Sequence, residues 1–362
     1  MKSAKQILFM SIFAAVPSAQ ASLIMIDSDI TKQAIYSDTY ISAGALAIIN
    51  GDIKSISYTS IGAGITGAAP TFKATVNGNI DSGTYTSTGA SAAVNGNVKS
   101  GTYASTGADS AVNGNISSGS YVTFGSGTVV QGNVQAQGIL TVGAAVSVTG
   151  DAEGGLGGPL PPVTSLREEI LAQQKFLKEL DGTLLMSSFA DGSAALTAGV
   201  YNVLDILTVA ADTNIRLDGG GVDQTWIFNI GNYMVFGSGV NVVLDNVSAG
   251  SNIIWNVLGD STGTLPGPDL GHATLGAGVD FKGTILSTSY ISAGAGAKMS
   301  GVGDSCGGAY SAFSYVSLGA DAVFGSEGCG AAVVPVPGTI WLLGLGLFGL
   351  ASIKRVSPNK LR

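Results

Sequence analysis

At 362 residues the chain is long enough for one large domain or two ordinary ones, and 54 glycines, 11% charged and 45% apolar residues suit turn-rich, stacked β structure. The formal net charge is −8 and no basic run occurs in the interior, which excludes nucleic acid as a partner.

The first 21 residues read as a secretory signal, with Lys2 and Lys5 ahead of a short apolar core over residues 7–16 and a small-residue cleavage site at Ala19-Gln20-Ala21. The mature chain is expected to begin at Ser22. Beyond it, segments such as YTSTGASAAVNGN at Tyr85 and YASTGADSAVNGN at Tyr103 recur. The starts Tyr40, Tyr58, Tyr85, Tyr103, Tyr121 and Ile139 are 18, 27, 18, 18 and 18 residues apart, and related segments begin at Tyr233, Tyr290 and Tyr315. A period near 18 with two-residue alternation predicts an all-β solenoid, each repeat one coil of three short faces.

Within a repeat the second residue (Ile41, Thr59, Thr86, Ala104, Val122) and the fourth (Ala43, Ile61, Thr88, Thr106, Phe124) are expected to face inward. The third residue is Ser42, Ser60, Ser87, Ser105, Thr123, Thr141, Ser292 or Ser317, and this column should face out with the tyrosines, Tyr85 and Tyr103 among them. It is the candidate ligand-binding face. The glycine in fifth place should mark a corner needing positive φ or close backbone approach. Asn79, Asn97, Asn115 and Asn133 are set to form an amide ladder after a left-handed Asn-Gly turn. The repeats lack the Asp runs of calcium-binding coils, so no metal and no cofactor is expected.

DAEGGLGGPLPP at residues 151–162 is a linker. After it, Ser165 and Glu168 have capping-box spacing, Leu166, Ile170, Leu171, Leu177 and Leu180 form an apolar stripe, and Gly182 is placed as a stop. The helix is expected to lie on the flank of the solenoid.

From Leu196 the chain carries an L-x-x-G-V-Y opening, L-D-G-x-G at Leu217, W-I-F-N-I-G at Trp226, I-W-N-V at Ile254 and F-K-G-T-I-L at Phe281. This string resembles the bacterial ice-binding-like family, over about residues 35–330. The resemblance implies a right-handed, discontinuous β-solenoid with one long α-helix packed alongside and the two sequence halves interleaving in one body. It also implies adsorption to ice through a flat face bearing Thr, Ser and Ala. The expected domain is 22–332, with N-terminal coils at 35–151, linker and helix at 152–182 and C-terminal coils at 183–330. Two segments depart from the family pattern, an insertion GDSTGTLPGPDLGH starting at Gly259 and an extension holding Cys306.

Catalysis has little to stand on. His272, the single histidine, reads as an exposed loop residue; GDSCGG at Gly303 mimics a serine-protease segment without its partners; DGGGVD at Asp218 reads as a turn. An outward tyrosine column would offer ring faces to sugars, so polysaccharide is a second candidate partner. Export permits Cys306 and Cys329 to pair, the alternative being two buried thiols.

At the C-terminus VPVPG, with Pro335 and Pro337, precedes the apolar run TIWLLGLGLFGLASI and the basic pair Lys354-Arg355. The segment 333–362 resembles a PEP-CTERM sorting signal, with Val336 where the usual glutamate stands. The resemblance implies an exosortase-type processing enzyme, membrane attachment before processing, and a place at the envelope or outside a Gram-negative cell. A plain transmembrane anchor is the alternative. The expected function is that of an exported, cell-surface, non-enzymatic protein adsorbing to ice or another ordered surface. A surface adhesin or matrix protein without ice activity is the other reading.

Overall fold

A computed structural model describes residue 30 and residues 33–65, 73–189, 192–259, 271–303 and 307–325. Three parallel sheets of thirteen, twelve and twelve strands run through the body. We call them A, B and C in the order the chain visits them. One circuit is Asp52–Ser55 in sheet A, Tyr58–Ile61 in B and Thr75–Asn77 in C. Side chains alternate in and out along these strands, so Thr59 and Ile61 are buried while Tyr58 and Ser60 are half-buried. At about 4.8 Å per step, twelve coils make a stack roughly 50 Å long.

The chain enters this stack in its middle. Gln33–Ser37 pairs with Asp52–Ser55 on one side and with Gly308–Ser311 on the other. The N-terminal coils climb from there to Ala152–Glu153, and the C-terminal coils start at the opposite end with Thr183–Leu184 and climb back to the entry point. The solenoid is therefore discontinuous, but its halves abut at one seam and do not interleave. The strand order of every sheet runs through the N-terminal coils and then the C-terminal ones without alternation. The open lower edge of the first coil is filled once, by the last one, through Ile41↔Val316 and Ile48↔Val323.

N-terminal coils keep the 18-residue step, as in Val98↔Ile116↔Val134, except for one 27-residue step, Ile53↔Ile80. Early C-terminal coils are longer: Asn202, Asn229 and Asn256 pair at intervals of 27. The W-I-F-N-I run of Thr225–Ile230 shows what the long strands do. Trp226, Phe228 and Ile230 enter the core, where Phe228 stacks on Trp255 at 4.1 Å, while Ile227 and Asn229 turn outward to the helix. Burying each such aromatic contributes on the order of 2–3 kcal/mol.

The helix α1, Arg167–Lys178, lies on sheet A of the C-terminal half with Leu166, Ile170 and Leu177 buried and Leu171 and Leu180 packed beside them. The capping box does not form. Leu166 is the N-cap, and the Ser165 hydroxyl, one residue too early, accepts from Arg167 N at 3.2 Å and donates to Asp38 at 2.8 Å. Asp38 also accepts from the Tyr36 hydroxyl at 3.0 Å and pairs with the Arg167 guanidinium, whose Nε donates to the Ala312 carbonyl at 3.2 Å. This cluster ties the first coil, the last coil and the helix at the seam. Further down, Gln174 donates to Val257 O at 3.0 Å, Asn256 to Gln174 O at 3.0 Å and Asn229 to Leu177 O at 2.8 Å.

At the corners, close approach and not positive φ requires the glycines. A Cβ on Gly107 would sit 2.4 Å from Ala90 N, and one on Gly96 2.3 Å from Gly78 O. Neither the Asn nor the Gly of the Asn-Gly pairs at Asn77, Asn95 and Asn113 is left-handed; that conformation falls two residues after the fifth-place glycine, at Leu46, Ser91, Asp109, Ala145 and Asp321.

Candidate functional site: the outer face of sheet B

In sheet B the hydroxyl residues fall in a single register. Thr141, Thr123, Ser105, Ser87, Ser60 and Ser42 pair in order on the N-terminal side of the seam. Ser42 pairs across it with Ser317, and Ser317 with Ser292. The column then continues through Thr274, Val235, Thr208 and Ser188. Thr274, Thr208 and Ser188 are not evident from the repeats, because His272, Ile206 and Met186 stand where a tyrosine would mark the frame. The two-residue offset in the strand was the available signal.

Beside this column runs a column of rings. Tyr233, His272, Tyr290, Tyr315, Tyr40 and Tyr58 stack face to face with centroids 4.6–5.1 Å apart. Tyr85 stacks on Tyr103 at 5.1 Å, and Tyr121 is tilted by 55° against Tyr103. His272 is thus a half-buried member of the stack and not an exposed loop residue. Stacking also changes what the tyrosines present. Within each stack the ring faces lie against each other, so the surface meets ring edges and hydroxyls there, while Tyr121 at the end is tilted and 47% exposed. Burial in the stack, then the neighbouring phenols, holds the Tyr40 and Tyr290 hydroxyls above the ordinary tyrosine value.

The strands of sheet B contain no charged residue, whereas sheet A carries Lys54, Asp81 and Lys99 and sheet C carries Arg216, Asp280, Lys282 and Lys298. The helix covers part of sheet A only. Both long insertions leave the face in register: Ser60 pairs with Ser87 across residues 66–72, and Val235 with Thr274 across residues 260–270.

Two asparagine ladders run along the corner between sheets C and A. The expected one forms, with Asn97 Nδ2 donating to Asn79 Oδ1 at 3.0 Å and Asn115 to Asn97 at 3.1 Å, while Asn133 joins through its backbone N–H to Asn115 Oδ1 at 2.8 Å. The second, Asn113 to Asn95 to Asn77 to Asn50, has links of 2.6–2.7 Å and uses the other asparagine of each N-G-N. Among the described residues no group of three or more His, Cys, Asp or Glu is placed to hold a metal ion. The D-G-G-G element is a turn, with Gly220 N donating to Asp218 at 3.1 Å. The signal at 1–21, Cys306, Cys329, Pro335, Pro337, Lys354, Arg355 and the terminal apolar run lie outside the described residues; no described helix is long and apolar enough to cross a membrane.

The described residues form a three-sheet solenoid with one hydroxyl-bearing face whose strands carry no charge. A family model described as ice-binding-like matches residues 171–324, and a PEP-CTERM protein-sorting motif matches residues 333–355. Residues 171–324 are thus similar to the ice-binding-like family, and the segment that follows is similar to a sorting signal. The family match starts within the helix, so the N-terminal coils lie outside it. Similar solved structures include an ice-binding protein from the Antarctic ascomycete Antarctomyces psychrotrophicus, 14% identical, covering 83% of this chain and 97% of that one, with a TM-score of 0.41. Another is the DUF3494 domain of Shewanella frigidimarina ice-binding protein 1, 16% identical, covering 82% and 95%, with a TM-score of 0.44. A third is an Arctic yeast ice-binding protein, 15% identical, covering 82% and 92%, with a TM-score of 0.41. Comparison with curated proteins finds no match.

Proposed function

We propose that this exported ice-binding-like protein adsorbs to ice through the outer face of sheet B, with Ser42, Ser60, Ser87, Ser105, Thr123, Thr141, Ser292 and Ser317 as contact residues, joined by Thr274, Thr208 and Ser188. The observation that carries the reading is the unbroken register of this column on a sheet free of charge. Hydroxyls fixed by strand geometry hold a row of water at constant spacing, and because the backbone is already ordered, adsorption costs little conformational entropy. A charge on this face would instead keep its own hydration shell. The role is binding and not catalysis.

The domain is taken as residues 22–332, with its coils at 35–151 and 183–330, and the segment 333–362 as the sorting tail that an exosortase-type enzyme reads at the envelope. Cys306 and Cys329 are taken as a disulfide. No finding supports the adhesin reading or a polysaccharide partner.

The test is ice recrystallisation inhibition and thermal hysteresis of residues 22–330, a compact unit by itself. Wild type is expected to be active, and Ser105→Lys and Ser42→Lys to abolish activity with unchanged circular dichroism and melting temperature. Lys99→Ser on sheet A should leave it intact. Activity surviving both face variants would overturn the assignment.

A further inference from the structure

The two ends of the stack hold features the ice face does not use. Among the described residues, six of the eleven exposed large apolar side chains lie there, Ile139, Val142 and Leu156 at one end and Leu184, Met186 and Leu204 at the other. Val142 faces the core, yet it is 53% exposed because no coil lies above it. Terminal coils also present unpaired backbone N–H and C=O groups, an edge that proteins usually protect with Pro, Lys or a bulge. The terminal strands Leu140–Val142, Ser147–Val148 and Ala152–Glu153, and Thr183–Leu184, Ser188–Phe189 and Leu196–Thr197 at the other end, contain neither Pro nor Lys.

We propose that copies of this chain stack head to tail, the Thr183–Thr197 coil of one seated on the Leu140–Glu153 coil of the next. The registers match. Val142 and Phe189 terminate the same inward column of sheet B, which runs from Phe124 through Ile61, Ala43, Leu318 and Phe236. Ile139 and Met186 both stand at the corner between sheets A and B, so the contact would bury one against the other. Every coil-to-coil contact in the body repeats this geometry, and one more step continues it between molecules.

Among the described residues no segment covers either terminal coil, and the described body begins and ends at the seam, six coil steps, about 29 Å, from one end and five, about 24 Å, from the other. The linker after Glu153 bonds to sheet A, Gly157 N donating to Gln137 O at 3.1 Å, and leaves Val142 open. Because the two contacting ends are different surfaces and stack along the coil axis, each copy leaves one end free, so the association is a filament that extends the sheet B face beyond one molecule. Asp151 and Glu153 at one end and Asp181 at the other repel, so salt strengthens the contact.

Sedimentation velocity on residues 22–330 tests this. Wild type should form a concentration-dependent series of oligomers that grows between low and high salt. Val142→Lys and Met186→Lys should each be monomeric, and an equimolar mixture of the two should form dimers and nothing larger, because only one competent pair of ends remains. Ile139→Glu replaces Val142→Lys if that variant loses its circular dichroism. A wild type monomeric at millimolar concentration, a variant that still oligomerises, or a mixture that stays monomeric would each overturn the proposal.

Discussion

Replacing Asn229 with Ala should undock the helix from the C-terminal coils. Asn229 is 4% exposed and makes three hydrogen bonds: its amide donates to Leu177 O at 2.8 Å and to Asn202 Oδ1 at 3.1 Å, and its Oδ1 accepts from Asn256 at 2.9 Å. Each is worth about 1 kcal/mol net, which sums to about 3 kcal/mol. No large orphan penalty adds to this. Leu177 O keeps the Leu180 N–H at 3.3 Å, Asn256 keeps Gln174 O, and Asn202 is half-buried, within reach of water. Urea unfolding of residues 22–330, followed by fluorescence of Trp226 and Trp255, the only tryptophans in that span, measures the loss. Hydrogen exchange should show protection falling first at Ile170 and Leu177, ahead of the strands. A loss below about 1 kcal/mol, or exchange that rises uniformly, would refute the view that this asparagine ladder carries the helix.

Gly96→Ala should cost about 1–3 kcal/mol or more, because the added Cβ would lie 2.3 Å from a backbone oxygen that has no room to move; a neutral melting temperature would contradict the close-approach reading. Alkaline stability should fall above about pH 10. Burial raises the Tyr36 and Tyr310 hydroxyls above the ordinary tyrosine value, so the unfolded chain loses these protons first; the stabilisation is complete below pH 10 and falls by about 1.4 kcal/mol per pH unit per residue until the folded groups also ionise. Absorbance at the tyrosinate band, titrated beside urea midpoints, checks this. Asp38→Ala removes the common partner of Tyr36, Ser165 and Arg167, and should raise amide exchange at Ile41 and Val316 while leaving Val122 protected.

The N-terminal coils were legible because each is a near copy of the last. Tyr85, Ser87 and Asn97 recur as Tyr103, Ser105 and Asn115, and a column of identical side chains is what a constant coil length produces. The C-terminal coils were less legible for the opposite reason. Steps of 27 between Asn202, Asn229 and Asn256 lengthen the strands of sheet A, and the frame was lost where Ile206 and His272 replace tyrosine. His272 looked exposed because a loop insertion precedes it, yet only a flat ring is needed to fill a gap between Tyr233 and Tyr290. Ser165 and Glu168 have the spacing of a capping box, but Asp38, 127 residues away, claims the serine hydroxyl. No local pattern contains that contact.

The seam explains how one continuous face arises from two unlike halves. Six rungs of sheet B, Thr141 to Ser42, come from coils that step by 18 residues except for the 27 between Ser60 and Ser87, and six, Ser317 to Ser188, from coils of varied length. What the halves share is the strand in sheet B, where two to four residues carry the same in-and-out pattern in every coil. Length variation is absorbed elsewhere, in the long strands under the helix and in segments inserted at the corners. Charge follows the same division, since Lys54, Asp81, Lys99 and Arg216 all stand on sheets A and C. A face built of main-chain ladders alone keeps its spacing whatever the rest of the coil does, so the regularity needed to match an ordered surface is imposed by hydrogen-bonded strand geometry. The side chains at Ser42 and Ser317 need only be small and polar. Their register across the seam is held from behind, by Tyr36, Asp38 and Arg167.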